Sequence, residues 1–220
     1  MGGLDTASYV AAFRTHGEAL ASAARKAEVT RPVPSCPGWT MADLVAHVWT
    51  FVTSMRTGEW KPLDDPRDVD VDDYEAASHA LLDAWELRGH RGVRRCAHEL
   101  SVHRWDAEDA VGDAAAIEAR LAADGVEEFF EVFVAPPRWG GGKGNGECLR
   151  MTAVDADLDL VVRFEPEGVE YGLAANREAT QLRGAASDLV LFLWGRVSAQ
   201  VLESSGDQSP VLRLQSPRFR

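Results

Sequence analysis

The stretch RRCAHELSVHRWDAEDAVG, residues 94–112, decides the fold of the first half of the chain. It follows a break at residues 88–92 and predicts a helix from about Val93 to Val111. Glu99 and His103 are four residues apart, so a helix places them one turn apart on the same face. His98 lies five residues before His103 and projects away from that face. One face of this helix therefore carries a carboxylate and an imidazole that can share a metal ion.

Three further segments before this stretch show apolar residues at helical spacing. They cover residues 6–27, 41–56 and 72–87, and the acidic, proline-containing segment 58–70 reads as a loop. Thr40 precedes the second helix with Asp43 three residues later, which is a capping-box arrangement. Four helices with modest connections predict an antiparallel bundle.

The pattern changes after a further helix predicted at residues 115–134. A segment rich in glycine and proline, residues 136–146, is typical of a linker or an exposed loop. Three short runs rich in Val and Leu then predict strands, and a buried helix follows them; these elements cover residues 149–154, 158–164, 168–173 and 185–194. The sequence thus predicts an all-α bundle at residues 1–135 and a small α+β domain at residues 147–220.

The composition excludes several classes of function. The 220 residues hold 23 Lys and Arg against 35 Asp and Glu, a formal net charge of −12. Such a chain repels nucleic-acid phosphates and anionic membranes, and no apolar run approaches the length of a membrane span. Three cysteines do not suggest a disulfide framework, and the start MGGLDTASYV lacks the features of a secretory signal. We therefore expect a soluble, acidic, globular protein of the cytoplasm.

His47 is the natural third ligand for a metal held by Glu99 and His103. It lies on the apolar stripe of the second helix, with Leu44, Val48 and Phe51, and faces the bundle interior. Bundle cores commonly build metal sites from inward-facing side chains of neighbouring helices. The alternative is a core histidine with a satisfied hydrogen bond beside a solvated Glu–His pair. Spacing does not decide between the two, because 52 residues separate His47 from Glu99.

Three other residues have both a chemical and a structural interpretation. Asp106 follows His103 by three residues and either orients its ring or is a solvated acid. Arg95 precedes Glu99 by four residues; it either holds a substrate carboxylate or forms a surface ion pair, and the ion pair is favoured. Cys36 lies between two prolines in a turn, which favours a structural thiol over an activated one.

Two stretches resemble the signatures of a known family. VPSCPGWTMADLVAHVW, residues 33–49, and residues 94–112 are similar to those of the mycothiol-dependent maleylpyruvate isomerases, within the wider DinB-like superfamily. QLRGAASDLVLFLWGR, residues 181–196, resembles the C-terminal domain of that family. The resemblance touches both predicted domains and implies a DinB-like four-helix bundle followed by a small α+β domain.

The resemblance also implies a metal centre and a cosubstrate. It implies Zn²⁺ held by two histidines and one glutamate, which correspond to His47, Glu99 and His103. Ni²⁺ and Fe²⁺ also accept this ligand set, and three protein ligands leave one position open, as in catalytic sites. It implies mycothiol, the low-molecular-weight thiol of actinobacteria, as cosubstrate, and Arg196 near the site facing an anionic substrate. The expected activity is addition of the mycothiol thiolate to an electrophilic small molecule, as an S-transferase or a cis-trans isomerase, by a monomer or homodimer. A metal-assisted hydrolase and a non-enzymatic ligand- or partner-binding module are the alternatives.

Overall fold

The computed structural model describes residues 3–135, 143–174 and 179–214. The chain divides into two compact units, Met1–Ala116 and Ile117–Arg220. The first unit is the expected four-helix domain, with α1 at Thr6–Arg25, α2 at Met41–Thr57, α3 at Val71–Arg88 and α4 at Val93–Val111. Helix α1 packs on α4 and α3, and α2 packs on α3 and α4. The helical half predicted from the sequence is confirmed to within two residues at most helix ends.

The core of the first unit is apolar and closely packed. Its fully buried side chains come from all four helices and include Phe13, Leu20, Leu44, Val48, Tyr74 and Leu100. Helix α2 begins with the predicted capping box: the Thr40 amide donates to Asp43 Oδ2 at 2.8 Å, and the Asp43 amide donates to Thr40 Oγ1 at 3.4 Å. The cap fixes where α2 starts and so fixes the direction of its side chains.

The segment before α2, residues 33–39, forms a tight loop closed by its own backbone. The Val33 amide donates to the Trp39 carbonyl at 3.0 Å, and the Trp39 amide donates to the Cys36 carbonyl at 2.9 Å. Gly38 has φ 87°, in the left-handed region where a side chain would be strained. At the base of the loop, Arg31 Nε donates to the carbonyl oxygen of Ala110 on α4 at 2.9 Å. The loop is therefore held against α4 from the start.

The second unit combines helices with a five-stranded sheet. Helix α5, Ala119–Glu128, continues as a π-helical turn over Phe129–Val134 and packs on α6, Ala186–Leu193. The strands are β1 at Glu147–Ala153, β2 at Asp159–Glu165, β3 at Gly168–Tyr171, β4 at Thr180–Gly184 and β5 at Glu203–Ser205, followed by α7 at Ser209–Leu214. Helix α5 thus groups with the sheet-containing unit, because its apolar face is buried on α6.

The sheet is mixed, with the strand order β3-β2-β1-β4-β5. Strand β1 pairs antiparallel with β2 and parallel with β4, and the register aligns Met151 with Leu160 and Leu182. These three side chains are buried, as are Leu189 and Phe192 of α6. The sequence predicted β1, β2, β3 and α6; it did not predict β4, β5 or α7.

Two further predictions concern the linker and membrane-spanning segments. Residues 136–142 of the predicted linker lie outside the described residues, so the linker stays a prediction. Among the helices that the structure describes, none is both long and apolar enough to cross a membrane.

Candidate metal centre

Helices α2 and α4 bring the three predicted ligands together in the first unit. His47 Nε2 lies 2.9 Å from Glu99 Oε1, and His103 Nε2 lies 3.4 Å from the same oxygen. The two imidazole rings have a centroid separation of 4.8 Å and meet edge to face. One ligand atom from each residue therefore lies within 4.8 Å of the other two. The juxtaposition that sequence spacing left open is present in the structure.

The donor set and its spacing fit a divalent cation such as zinc. Two nitrogens and a carboxylate oxygen are ligands that Zn²⁺ accepts, at about 2.0–2.1 Å each, so ligand atoms of a tetrahedral ion lie roughly 3.3 Å apart. The two measured separations from Glu99 Oε1, 2.9 and 3.4 Å, lie on either side of that value. Side chains of His47 and Glu99 are 25% and 14% exposed, so the site borders solvent on one side. A cation held here would be reachable by a small molecule.

Glu99 is a carboxylate that lies beside the charge of Arg95 and within hydrogen-bond reach of both histidines. Burial raises its pKa, but the charge of Arg95 and the hydrogen bonds with His103 and His47 outweigh burial and hold the pKa well below its ordinary value. Arg95 Nη2 pairs with Glu99 Oε2, the oxygen that does not face the histidines. The predicted ion pair between Arg95 and Glu99 is therefore present. It is not a surface pair, because the Arg95 side chain is only 19% exposed. Arg95 leaves Oε1 directed at the two imidazoles.

Asp106 lies behind His103, on the side away from Glu99. Its Oδ2 is 2.8 Å from His103 Nδ1, and the carboxylate is fully buried. Burial lowers the pKa of His103, but the hydrogen bonds to Asp106 and Glu99 overcome it and raise the pKa above its ordinary value. A carboxylate accepts the Nδ1 proton, and this leaves Nε2 as the nitrogen that faces Glu99 and His47. Of the two interpretations of Asp106, the solvated acid does not fit this burial.

The loop at residues 33–39 completes the surroundings of the site. Ser35 Oγ donates to Asp106 Oδ1 at 2.7 Å, and Cys36 Sγ lies 3.5 Å from Asp106 Oδ2. Trp39 lies nearly parallel to the ring of His103, with centroids 6.2 Å apart, and its centroid is 5.0 Å from that of His47. Cys36, His103 and Asp106 also form a second group whose ligand atoms lie within 4.8 Å of one another. Nothing in the sequence pattern indicated the contact between Ser35 and Asp106.

A pocket opens beside His47 in the first unit, with a volume of about 230 Å³. One wall is the face of α2 that carries His47, and the other is the loop after this helix, which carries Trp60. The ring centroids of Trp60 and His47 are 6.2 Å apart, and Trp60 is 56% exposed. The remaining lining residues are Trp39, Asp43, Ala46, Thr50, Pro62, Leu63 and Pro66. A ligand in this pocket would touch one of the candidate metal ligands.

Arg196 belongs to the second unit, where it follows α6. Its Nη1 donates to the carbonyl oxygen of Trp194 at 2.8 Å. Its role toward an anionic substrate stays a prediction. His98, which helical spacing directed away from the metal face, is buried and meets the ring of Tyr9 at a centroid distance of 6.1 Å.

The fold and the site together define a class of protein: a helical domain whose second and fourth helices converge on a His–Glu–His cluster, followed by an α+β unit. Family models identify both parts. The mycothiol maleylpyruvate isomerase N-terminal domain matches residues 10–108, and the C-terminal domain of that family, MDMPI, matches residues 120–213. The chain belongs to the mycothiol-dependent maleylpyruvate isomerase family.

Solved structures agree on the fold. A crystal structure of the mycothiol-dependent maleylpyruvate isomerase covers 93% of this chain and 96% of its own, with a TM-score of 0.53 and 14% sequence identity. A mutant of that protein with one histidine replaced by alanine gives the same coverage and identity, with a TM-score of 0.52. Among curated proteins, none matches the chain significantly. At this identity the likeness establishes the shared two-part fold.

Proposed function

We propose that this protein is a cytoplasmic, metal-dependent thiol enzyme that activates mycothiol for addition to an electrophilic small molecule. The observation that carries the proposal is the convergence of His47, Glu99 and His103 beside an open pocket, with Asp106 behind His103. Membership of a family named for mycothiol supports the choice of thiol. The products are those of an S-transferase or of a cis-trans isomerase.

A divalent cation, Zn²⁺ by ligand type, would be held by His47, Glu99 and His103 and would supply the positive charge that stabilises a thiolate at neutral pH. The chain's own residues prepare that site. Asp106 accepts the Nδ1 proton of His103, and Arg95 engages the second oxygen of Glu99. The pocket walls, including Trp39 and Trp60, exclude water from part of the bound ligand.

The proposed reaction is a conjugate addition of the thiolate. The sulfur adds to a carbon–carbon double bond conjugated to a carbonyl, and the electrons of that bond move to the carbonyl oxygen. In an isomerase the resulting single bond rotates, the double bond re-forms and the thiolate leaves. In a transferase a proton is added and the adduct is released. We propose that Arg196 meets an anionic substrate in either case.

The first test is elemental analysis of protein purified without a chelator. We expect about one divalent ion per chain in the wild type and almost none in His103→Ala, because the variant loses one of three ligands. The variant His98→Ala is the control, since His98 also lies on α4 but faces Tyr9. Equal metal content in the wild type and His103→Ala would contradict the proposal.

The second test is turnover of conjugated electrophiles with and without mycothiol. We expect turnover that requires both the thiol and the metal-loaded protein, and a drop of at least 100-fold in kcat/KM for His103→Ala, as expected when a metal site is lost. Thiol-independent hydrolysis by the wild type would favour the hydrolase alternative. A metal-loaded protein that binds ligands but turns over no electrophile would favour the binding module.

A further inference from the structure

The loop at residues 33–39 contacts the candidate metal centre through several side chains that do not take part in capping α2. Ser35 and Cys36 both contact the carboxylate of Asp106, one at each oxygen. Trp39, from the other end of the same loop, lies against the rings of His47 and His103. Neither the fold of α2 nor the proposed chemistry uses the polar groups of Ser35 and Cys36. Both groups act on Asp106.

A buried carboxylate needs several donors to stay ionised and fixed in direction. Asp106 is fully buried, and His103 Nδ1 and Cys36 Sγ both meet its Oδ2 while Ser35 Oγ donates to Oδ1. The two loop donors hold the carboxylate against rotation about its Cβ–Cγ bond, so their loss weakens the directional bond to Nδ1. The ring of His103 would then be free to tilt away from Glu99.

The loop is rigid enough to serve this purpose. Its ends are tied together by the bond from the Val33 amide to the Trp39 carbonyl, and the Cys36 amide donates to the Val33 carbonyl at 3.0 Å. Arg31 ties its base to Ala110, one helical turn after Asp106. The loop and this part of α4 therefore hold each other at two successive turns.

We propose that Ser35 and Cys36 are positioning residues of the metal centre: they fix the Asp106 carboxylate, which fixes the ring of His103 with Nε2 toward Glu99 and His47. The inference rests on the proposed function, because it assumes that a cation binds the three ligands. Residues that orient a metal-bound histidine typically change metal affinity 10- to 100-fold when they are replaced.

The test measures Zn²⁺ affinity by chelator competition and the visible spectrum of the Co²⁺-substituted protein. We expect Ser35→Ala and Cys36→Ala each to weaken Zn²⁺ binding about 10-fold or more and to alter the cobalt d–d bands. Cys36→Ser should restore most of the affinity, because a hydroxyl also donates to Asp106. Cys96→Ala is the matched control, since Cys96 is a fully buried cysteine of α4; it should bind Zn²⁺ as the wild type does.

Each alternative outcome has a distinct meaning. Wild-type affinity in both Ser35→Ala and Cys36→Ala, with metal still bound, would overturn this inference alone. A thiolate-to-cobalt charge-transfer band in the wild type without added thiol, lost in Cys36→Ala, would make Cys36 a ligand and also overturn it. A wild-type protein that binds neither ion would overturn the proposed function and the inference together. If Cys36→Ala fails to fold by circular dichroism, Ser35→Ala and Cys36→Ser give the answer.

Discussion

His16 is a buried histidine of α1 that the metal centre does not use. It is 8% exposed, and burial, assisted by the charges of Arg104 and His98, lowers its pKa from 6.5 to about 4. The folded chain therefore keeps His16 neutral at pH values where the unfolded chain protonates it. The residue belongs to the buried side of α1, which the spacing of Tyr9, Phe13 and Leu20 already defined, but its pKa depends on neighbours that only the fold brings close.

We expect His16 to make the protein less stable in acid. Between pH 6.5 and about pH 4 the unfolded state binds a proton that the folded state does not, so the free energy of unfolding falls as the pH falls. The full difference is at most about 3.5 kcal/mol, since one pKa unit is worth about 1.4 kcal/mol and the pKa of His16 falls from 6.5 to about 4. Urea unfolding of the wild type and His16→Gln at pH 7 and pH 4.5 measures this contribution.

The wild type and His16→Gln share all other histidines, so the difference between them isolates the contribution of His16. His103 has a raised pKa and acts in the opposite direction: its stabilisation is full below pH 6.5 and is lost as the pH rises through its folded pKa. That effect is the same in the wild type and His16→Gln. His79→Gln, at an exposed position of α3, is the control and should keep the wild-type pH dependence. An acid sensitivity unchanged by His16→Gln would refute the assignment.

Helix α4 carries a buried arginine that binds the segment leaving the helix. Arg104 is 3% exposed; its Nη1 contacts Glu108 Oε2 at 2.5 Å and donates to the Ala115 carbonyl at 2.6 Å. The Ala115 amide donates to the same Glu108 oxygen at 3.0 Å. Helix α4 ends at Val111 and is capped by Gly112, whose φ of 81° turns the chain back toward this pair. The pair thus fixes the segment that follows α4.

We expect Arg104→Met to destabilise the protein by about 3 kcal/mol, because it leaves Glu108 and the carbonyl oxygen of Ala115 without their buried donor. Arg120→Met, an exposed arginine of α5, is the matched control and should change stability by less than about 0.5 kcal/mol. Urea unfolding of both variants measures the difference. The double variant Arg104→Met/Glu108→Met should recover part of the loss, and strict additivity of the two changes would argue against the pair.

The elements that the sequence predicted share a strong local signal. The four helices of the first unit are long and periodic, and α2 has its capping box in the sequence itself. Strands β4 and β5 escaped prediction because they are short and because β4 is a parallel partner of β1, so its pairing depends on a distant segment. The predicted helix at 115–134 changes to π-helical geometry at Phe129, a change that apolar spacing does not reveal.

The candidate site combines residues that are close in sequence with residues that only the fold brings together. Glu99 and His103 were paired by spacing alone, since four residues on a helix is a local relation. The proximity of His47 to this pair could be expected only from the resemblance or from the fold, because helical spacing does not relate residues that lie on different helices. The contacts of Ser35 with Asp106 and of Trp60 with His47 could not be predicted from the sequence, because each depends on the position of a loop. The chemistry of a site is thus more predictable than its surroundings.

The pocket beside His47 has walls of two kinds. The wall that carries His47 belongs to α2 and Trp39, whereas the opposite wall, with Trp60, Pro62 and Leu63, belongs to a loop that supplies none of the three candidate ligands. The three candidate ligands and this wall of the pocket are therefore encoded in separate stretches of the gene. A mutational library confined to codons 60–66 would reshape this wall of the pocket while sparing His47, Glu99 and His103, which makes the scaffold open to variation in the ligands it accepts.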